Sequence, residues 1–295
     1  MKFLHPHLRP LALLSVLGSV FALPAQAQIL GYDVDFNGSS TTYTDNFRIA
    51  NDAAATGFTW GASSGTGGTG GLTVTNTGAQ NLYYRPAPPD NSTSTFDFTS
   101  LAAGTTIVST TDFVWSNITA TDSTLLTAGF VPGNTTANAL TSSGALAGSL
   151  IRTGGTSTVT LRMRNGTANA TTLDFSQSAL TAGNWYQLSY ELTKSATANT
   201  FSYTVSLYSL GATGTGTPVL FNDGTKNITI NGTLTNASIY ADTNAFFAYD
   251  IRDTVSDTGI TRVDNFGVSV VPEPMSAPLI AAGLVGLAAF RRRRV

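Results

Sequence analysis

Gly183-Asn184-Trp185-Tyr186-Gln187-Leu188-Ser189-Tyr190-Glu191-Leu192 is the stretch that decides the fold of this chain. Tyr186, Leu188, Tyr190 and Leu192 alternate with Trp185, Gln187, Ser189 and Glu191. Apolar side chains at a period of two put one face of a strand in a core and the other outside it. Gly183 and Asn184 punctuate its start, as turn chemistry requires. Phe201, Tyr203, Val205 and Leu207 repeat the period and predict the next hairpin arm. Upstream, Ser157–Met163 sets Val159, Leu161 and Met163 against Thr158, Thr160 and Arg162.

Further strand patterns lie at Gly31–Phe36, Gly71–Val74, Asn81–Tyr84, Thr105–Trp115, Thr124–Phe130, Asn227–Ile230, Phe246–Ile251 and Thr261–Val270. Gly, Asn, Asp and Pro separate them. No amphipathic helix longer than a turn or two interrupts this part of the chain. Ala62–Gly71 and Gly211–Pro218 are glycine-rich and read as surface loops, the first of them flexible. Three tryptophans, ten tyrosines and sixteen phenylalanines supply too many apolar anchors for a disordered body. The expected fold is all-β: a two-sheet antiparallel sandwich of jelly-roll type.

The two ends read differently from the middle. Lys2 and Arg9 precede an apolar run, Leu11–Leu23, which Pro24 stops, and Ala25-Gln26-Ala27 offers a small-x-small cleavage site. That is the pattern of a secretion signal, with Ala25 and Ala27 at the cut and Gln28 first in the mature chain. At the other end stand Pro272-Glu273-Pro274, an apolar run from Met275 to Phe290, and Arg291, Arg292, Arg293 and Arg294. The prolines bar continuation of a sheet ladder. The run is slightly short for the roughly 20 residues that span a hydrocarbon core, and the arginine stems can reach back to the headgroups. Four arginines on one flank place the C-terminus on the cytoplasmic side. The expected organisation is a signal helix over 1–27, a sandwich over 28–270 and a sorting segment with a short transmembrane helix over 271–295.

The C-terminal arrangement closely resembles the PEP-CTERM sorting signal of Gram-negative bacteria, with Pro272, Glu273 and Pro274 carrying the match and the arginines as its basic stop. The resemblance implies export through signal peptidase, transit of the inner membrane, recognition and cutting by an exosortase, and a final place at the cell surface or outside it. The body carries a second resemblance. Tyr32-Asp33-Val34-Asp35-Phe36-Asn37-Gly38 looks like the opening strand of concanavalin A-like lectin/laminin-G sandwiches, and Thr261-Arg262-Val263-Asp264-Asn265-Phe266-Gly267-Val268 like their closing one. Gly183–Tyr190 is similar to the Gly-x-Trp-Tyr-x-Leu strand of the same superfamily. That resemblance implies adjacent first and last strands, and carbohydrate or matrix binding by analogy of fold.

Composition limits the chemistry. Without its two ends the chain holds nine basic and sixteen acidic residues, a net charge of −7. Such a surface is a poor match for nucleic acid, whose binding rests on phosphate neutralisation. Cysteine is absent, and both histidines, His5 and His7, lie in the signal. Ser-His-Asp triads, Cys-His dyads and zinc sites are thereby excluded from the body. Glu191 is its only glutamate, and nothing in it matches the Glu-x-Asp-x-x-Glu strand of glycosidases that share the resembled fold. The expectation is a non-catalytic protein. No cofactor is required. A structural calcium is the one metal that oxygen-only donors favour. Asp33, Asp35 and Asp264 would supply it if the end strands pair, or else cap turns and solvate strand edges. Asp250, Asp253 and Asp257, near Arg252, form a second acidic cluster that reads as solvated charge. Tyr83, Tyr84 and Trp115 are the candidate rings for stacking on a sugar, whereas Trp185 reads as core. Nine Asn-x-Ser/Thr sites, Asn236 among them, read as chance in a chain this rich in Asn, Thr and Ser. Three functions remain: a surface or exopolysaccharide-associated matrix protein, a carbohydrate-binding lectin-like module with calcium as its candidate ion and, behind these, a hydrolase whose carboxylate pair is assembled from distant aspartates.

Overall fold

The computed structural model describes residues 32–34, 47–50, 58–74, 81–84, 96–116, 124–133, 140, 143–152, 157–250 and 259–271. The described strands are, in chain order, β1 (Tyr32–Val34), β2 (Phe47–Ala50), β3 (Phe58–Gly61), β4 (Gly71–Val74), β5 (Asn81–Tyr84), β6 (Thr106–Trp115), β7 (Thr124–Val131) and β8 (Leu146–Arg152). They continue with β9 (Thr158–Asn165), β10 (Ala168–Ser176), β11 (Trp185–Lys194), β12 (Thr200–Gly211), β13 (Val219–Leu220), β14 (Thr229–Thr235), β15 (Phe246–Asp250) and β16 (Ile260–Val271). A one-turn helix, α1 (Ala237–Tyr240), and two short 3-10 turns are the helical elements among the described residues.

The strands form two antiparallel sheets and a small pair. β11, the strand of the Gly183–Leu192 stretch, runs near the middle of the larger sheet between β12 and β6. The order there is β13-β12-β11-β6-β16-β4-β3, with β14 also on β12 and β1 also on β16. The smaller sheet runs β10-β9-β8-β7-β15, and β2 pairs with β5. The expected antiparallel sandwich is therefore what the residues build. The first and last strands are adjacent, Tyr32 opposite Val268 and Val34 opposite Phe266.

The core between the sheets follows the period of two. Phe113, Tyr186, Leu188, Tyr190, Leu192, Val205, Val263 and Phe266 meet Leu126, Phe130, Leu150, Val159, Leu161, Met163 and Phe247. Rings tie the layers together: Phe98 meets Phe130 and Phe201 edge-on at 5.0 and 5.9 Å, and Tyr249 lies 4.4 Å from Phe266. Such contacts add to the area they bury. Gly148 lets the sheets approach one another, since a Cβ there would lie 3.0 Å from Val205 Cγ1 and 3.3 Å from the Tyr190 Cβ.

Several strands are missing from the sequence reading, and the reasons differ. β8 is a central strand built as Leu-Ala-Gly-Ser-Leu-Ile-Arg, whose small middle residues suit close sheet packing but give a weak hydrophobic period. β10 is an edge strand exposed over most of its length, so its sequence shows little apolar alternation. β2 and β3 are four residues each, and β13 is two.

Two anchors hold the rim. Lys194, buried at the end of β11, donates from Nζ to the carbonyl oxygens of Phe98 (2.6 Å) and Leu101 (3.0 Å) and lies 4.7 Å from the centre of the Tyr240 ring. Burial lowers its pKa, and Asp97 opposes that effect. Asn236 caps α1: its Oδ1 accepts from Ile239 N at 2.9 Å, and its Nδ2 donates to Gly144 O and Asn165 Oδ1, both at 2.9 Å. A buried amide with these bonds is structural and offers nothing to a glycan-transferring enzyme, in keeping with the chance reading of that Asn-x-Ser site.

Candidate functional site

Many of the residues singled out from the sequence lie outside the described residues. These are Ala25, Ala27, Asp35, Arg252, Asp253, Asp257, Pro272, Glu273, Pro274 and Arg291 to Arg294. The expected signal helix and C-terminal helix lie there too. No helix among the described residues is long and apolar enough to cross a membrane. Asp250 ends β15 opposite Thr127, and Tyr83 and Tyr84 sit on β5 opposite Arg48 and Phe47.

Trp115 does not serve as a stacking ring. It closes β6 with its side chain wholly buried among core residues, on the same face as Phe113. A stacking platform must be reached by a sugar, and this ring touches no solvent. Trp185 is buried as expected, but on the opposite face of the sheet. There it packs with Val114 and Leu210 while the Arg262 guanidinium lies 5.3 Å from its ring centre.

The outer face of the larger sheet carries a closed polar network. Asp112 on β6 and Asp264 on β16 are directly opposite one another and buried, at 4% and 0% exposure. Like charges facing across a strand pair are unfavourable without donors between them, and here the donors are present. Gln187 Nε2 donates to Asp112 Oδ1 at 2.8 Å, and Asn265 Nδ2 donates to Asp112 Oδ2 at 2.8 Å. Asp264 Oδ2 accepts from Thr66 N at 2.8 Å and Thr66 Oγ1 at 3.0 Å, and its Oδ1 accepts from Asn265 N at 2.9 Å. Asn265 reaches both carboxylates because it sits in a bulge at φ 50°, a left-handed conformation that asparagine tolerates.

That network corrects the reading of Ala62–Gly71 as flexible: the loop lies at the surface as expected, with Ala62, Ser63, Gly67, Gly68 and Thr69 exposed, but it is tied down. Gly65 and Gly70 are buried, Gly65 N donates to Thr69 O at 2.8 Å, and a 3-10 turn over Thr66–Gly68 presents Thr66 to Asp264. A Cβ on Gly65 would stand 2.0 Å from Gly70 O and 2.6 Å from Asp264 Oδ2, so glycine is needed for the approach. Gly67 N also donates to Thr213 O at 2.7 Å, which joins this loop to the second glycine-rich one. Glycine content reports conformational reach, and here the reach is used to fold the loop onto a buried carboxylate.

The same bonds bear on calcium. The end strands pair, which brings Asp33 opposite Gly267, three residues along from Asp264. Yet the hydrogens of Thr66 and Asn265 point at both oxygens of Asp264, where a cation would have to sit. Calcium takes six to eight oxygen ligands, and Asp264 as bonded does not fit as one of them. Among the described residues no group of three or more His, Cys, Asp or Glu side chains is gathered to hold a metal ion.

The outer face of the smaller sheet is built differently. Arg162 and Arg164 stand two residues apart on β9, on the face opposite Val159, Leu161 and Met163. Across the strands Arg162 lies between Thr172 of β10 and Ser149 of β8, and Arg164 between Asn169 and Ala147. Thr127 Oγ1 donates to Ser149 Oγ at 3.1 Å, and Thr160 Oγ1 donates to Asp174 Oδ1 at 2.6 Å. The half-buried Arg162 has a buried Nε with no hydrogen-bond partner. Burial first, and the neighbouring Arg164 second, pull its pKa down to about 10. The sequence had placed Arg162 on the outward face. The Arg-x-Arg spacing within a strand was the signal for the pair.

No protein-family model and no curated protein matches this chain. Among solved structures it is similar to lectin II from Ulex europaeus, at 9% identity over 83% of this chain and 99% of that one, with a TM-score of 0.48. A lectin from Griffonia simplicifolia in its metal-free form is similar at 8% identity over 82% of this chain and 99% of that one, with a TM-score of 0.49. A carbohydrate esterase of a Shiga toxin-encoding bacteriophage is similar at 11% identity over 83% and 98%, with a TM-score of 0.48. These are likenesses of sandwich architecture, and no residue role is taken from them.

Proposed function

We propose that this chain is an exported, exosortase-processed protein of the cell surface or extracellular matrix, whose sandwich is a non-catalytic body for display and binding. The observation that carries this reading is where the body begins and ends. β1 and β16 are antiparallel neighbours, so the chain before Tyr32 and the chain after Val271 leave from the same end of one sheet. β16 stops at Val271, which is 48% exposed and directly precedes Pro272-Glu273-Pro274. A cut beyond Val271 removes the apolar tail and leaves β16 whole. Signal peptidase, exosortase and the inner membrane are the partners this route needs, and extracellular polysaccharide is the setting it leads to.

The non-catalytic reading rests on the body's side chains. It has no histidine and no cysteine, and its facing aspartates, Asp112 and Asp264, are buried under hydrogen-bond donors where no substrate reaches them. Intact-mass spectrometry of the protein recovered outside the cell tests the route. An N-terminus at Gln28 and a C-terminus near Val271 are expected, whereas a soluble cytosolic chain with both ends attached overturns it. Carbohydrate binding is the second reading, favoured by the exposed hydroxyl and amide groups of the edge strand β10. A glycan array probed with and without a calcium chelator tests it, and silence on every glycan disposes of it.

A further inference from the structure

Three hydroxyls stand together in the core of the sandwich, and we infer that Ser109, Thr111 and Tyr190 hold internal water, one or two molecules bridging their oxygens between the sheets. Ser109 and Thr111 are two residues apart on β6, on the face that carries Ile107, Phe113 and Trp115 into the core. Tyr190 of β11 lies directly opposite Ser109, and Leu188 opposite Thr111, so Tyr190 and Thr111 are diagonal neighbours. On one face of a sheet, opposed residues hold their Cβ atoms about 5 Å apart and diagonal ones about 7 to 8 Å, within reach of a tyrosine. All three residues are buried, Ser109 and Tyr190 at 1% exposure and Thr111 at 0%. Among the described residues, none of the three hydroxyls has a hydrogen-bond partner. A hydroxyl taken from water without a replacement costs stability, and native cores satisfy such groups with protein or with ordered water.

Water suits this patch in number and in size. The three hydroxyls do not bond one another, so they stand further apart than a single hydrogen bond. One bridging water spans two bond lengths, about 5.6 Å, and a second serves the longer diagonal. An internal water makes about three hydrogen bonds, and each hydroxyl can both donate and accept. Burial pushes the Tyr190 pKa up, which keeps its hydroxyl neutral and able to donate. The facing wall is thin. Gly148 of β8 stands against Tyr190, and Ala128 of β7 is its cross-strand neighbour. The rows on either side are Phe130 with Leu146 and Leu126 with Leu150. Two small residues in a wall of leucine and phenylalanine leave room for a molecule no larger than water. Tyr249, opposite Ala128 on β15, adds a polar group from the smaller sheet. Its hydroxyl donates to Gly267 O over a long 3.4 Å, beside the Val268 that opposes Ser109, and its oxygen can still accept.

The test uses the full chain purified in detergent. Its crystal structure, at a resolution that shows ordered water, should have density within hydrogen-bonding distance of the Tyr190 hydroxyl and of Ser109 or Thr111. Tyr190→Phe and Thr111→Val keep the shape of the side chain and remove its hydroxyl. Each should unfold about 2 to 4 °C below the wild type, because each strips the water of a partner. The double variant should lose less than the sum of the two, because both act on one water cluster. A dry patch gives the opposite sign, since deleting a hydroxyl that has no partner relieves a cost. Unfolding of Y190F or T111V at or above the wild-type temperature therefore overturns the inference. So does a wild-type crystal in which no density meets these hydroxyls. Should the variants not fold, the wild-type crystal decides alone.

Discussion

The outer faces of the two sheets solve the same problem in opposite ways. On the larger sheet, two buried aspartates face one another and every oxygen accepts a hydrogen bond from Thr66, Gln187 or Asn265. On the smaller sheet, two arginines share a face and the buried Nε of Arg162 has no partner. A satisfied buried charge organises the chain around it, here a glycine-rich loop. An unsatisfied one has given up water without a replacement, and so costs stability rather than adding to it. Charge alone does not separate structure from site; the count of partners does.

Substitutions can break this contrast. Asp264→Ala should have the largest effect, about 3 kcal/mol of lost stability, because it orphans Thr66 N and Asn265 N and frees the loop. Urea unfolding would read it, and a change below about 0.5 kcal/mol would mean that the loop does not depend on the carboxylate. Next, Lys194→Met should cost about 2 kcal/mol by leaving the Phe98 and Leu101 carbonyls without their donor. It also carries a pH signature. The folded pKa of Lys194 is lowered by burial, so the native lysine gives up its proton at a lower pH than the unfolded one. Below the folded pKa the desolvation cost is fully present. It is relieved as pH rises from the folded pKa towards 10.5, the ordinary lysine value. Stability measured between neutral and alkaline pH should therefore rise less in K194M than in the wild type.

Asn236→Ala should cost about 1 to 2 kcal/mol through loss of the α1 cap and of a buried amide's bonds, seen as a lower unfolding temperature. Arg162→Gln should have the smallest effect, within about 0.5 kcal/mol either way, since it removes a charge that holds no partner. Thermal unfolding of R162Q that matches the wild type would sharpen the contrast. A loss comparable to that of Asp264→Ala would erase it and make Arg162 structural.

Much of the fold could be read before any coordinates. β4 and β5 fall where the apolar period put them, and β6, β11 and β16 differ from expectation by a residue or two at their ends. β6, β11 and β16 each carry a buried face along their length, and such a strand writes its environment into a period of two. β8 was illegible because its job is to be thin: Gly148 lets Val205 and Tyr190 come close, and glycine carries no hydropathy signal. β10 was illegible because an exposed edge strand has little to alternate. Asp112 did leave a trace, as an acid beside the apolar run Phe113-Val114-Trp115. Its partners Gln187 and Asn265 come from β11 and β16, far from it in the chain.

The sequence by itself determined that this is a histidine-free and cysteine-free, sheet-built body, and it carries address-like segments at both ends, because composition and short periods are local properties. Only the tertiary structure decided that Trp115 is core, that the glycine-rich loop is folded onto Asp264, and that the Arg162 Nε lacks a partner where both oxygens of Asp112 have one. Burial and hydrogen-bond satisfaction depend on which distant strands become neighbours, and that is settled by the packing of two sheets rather than by any one stretch of chain.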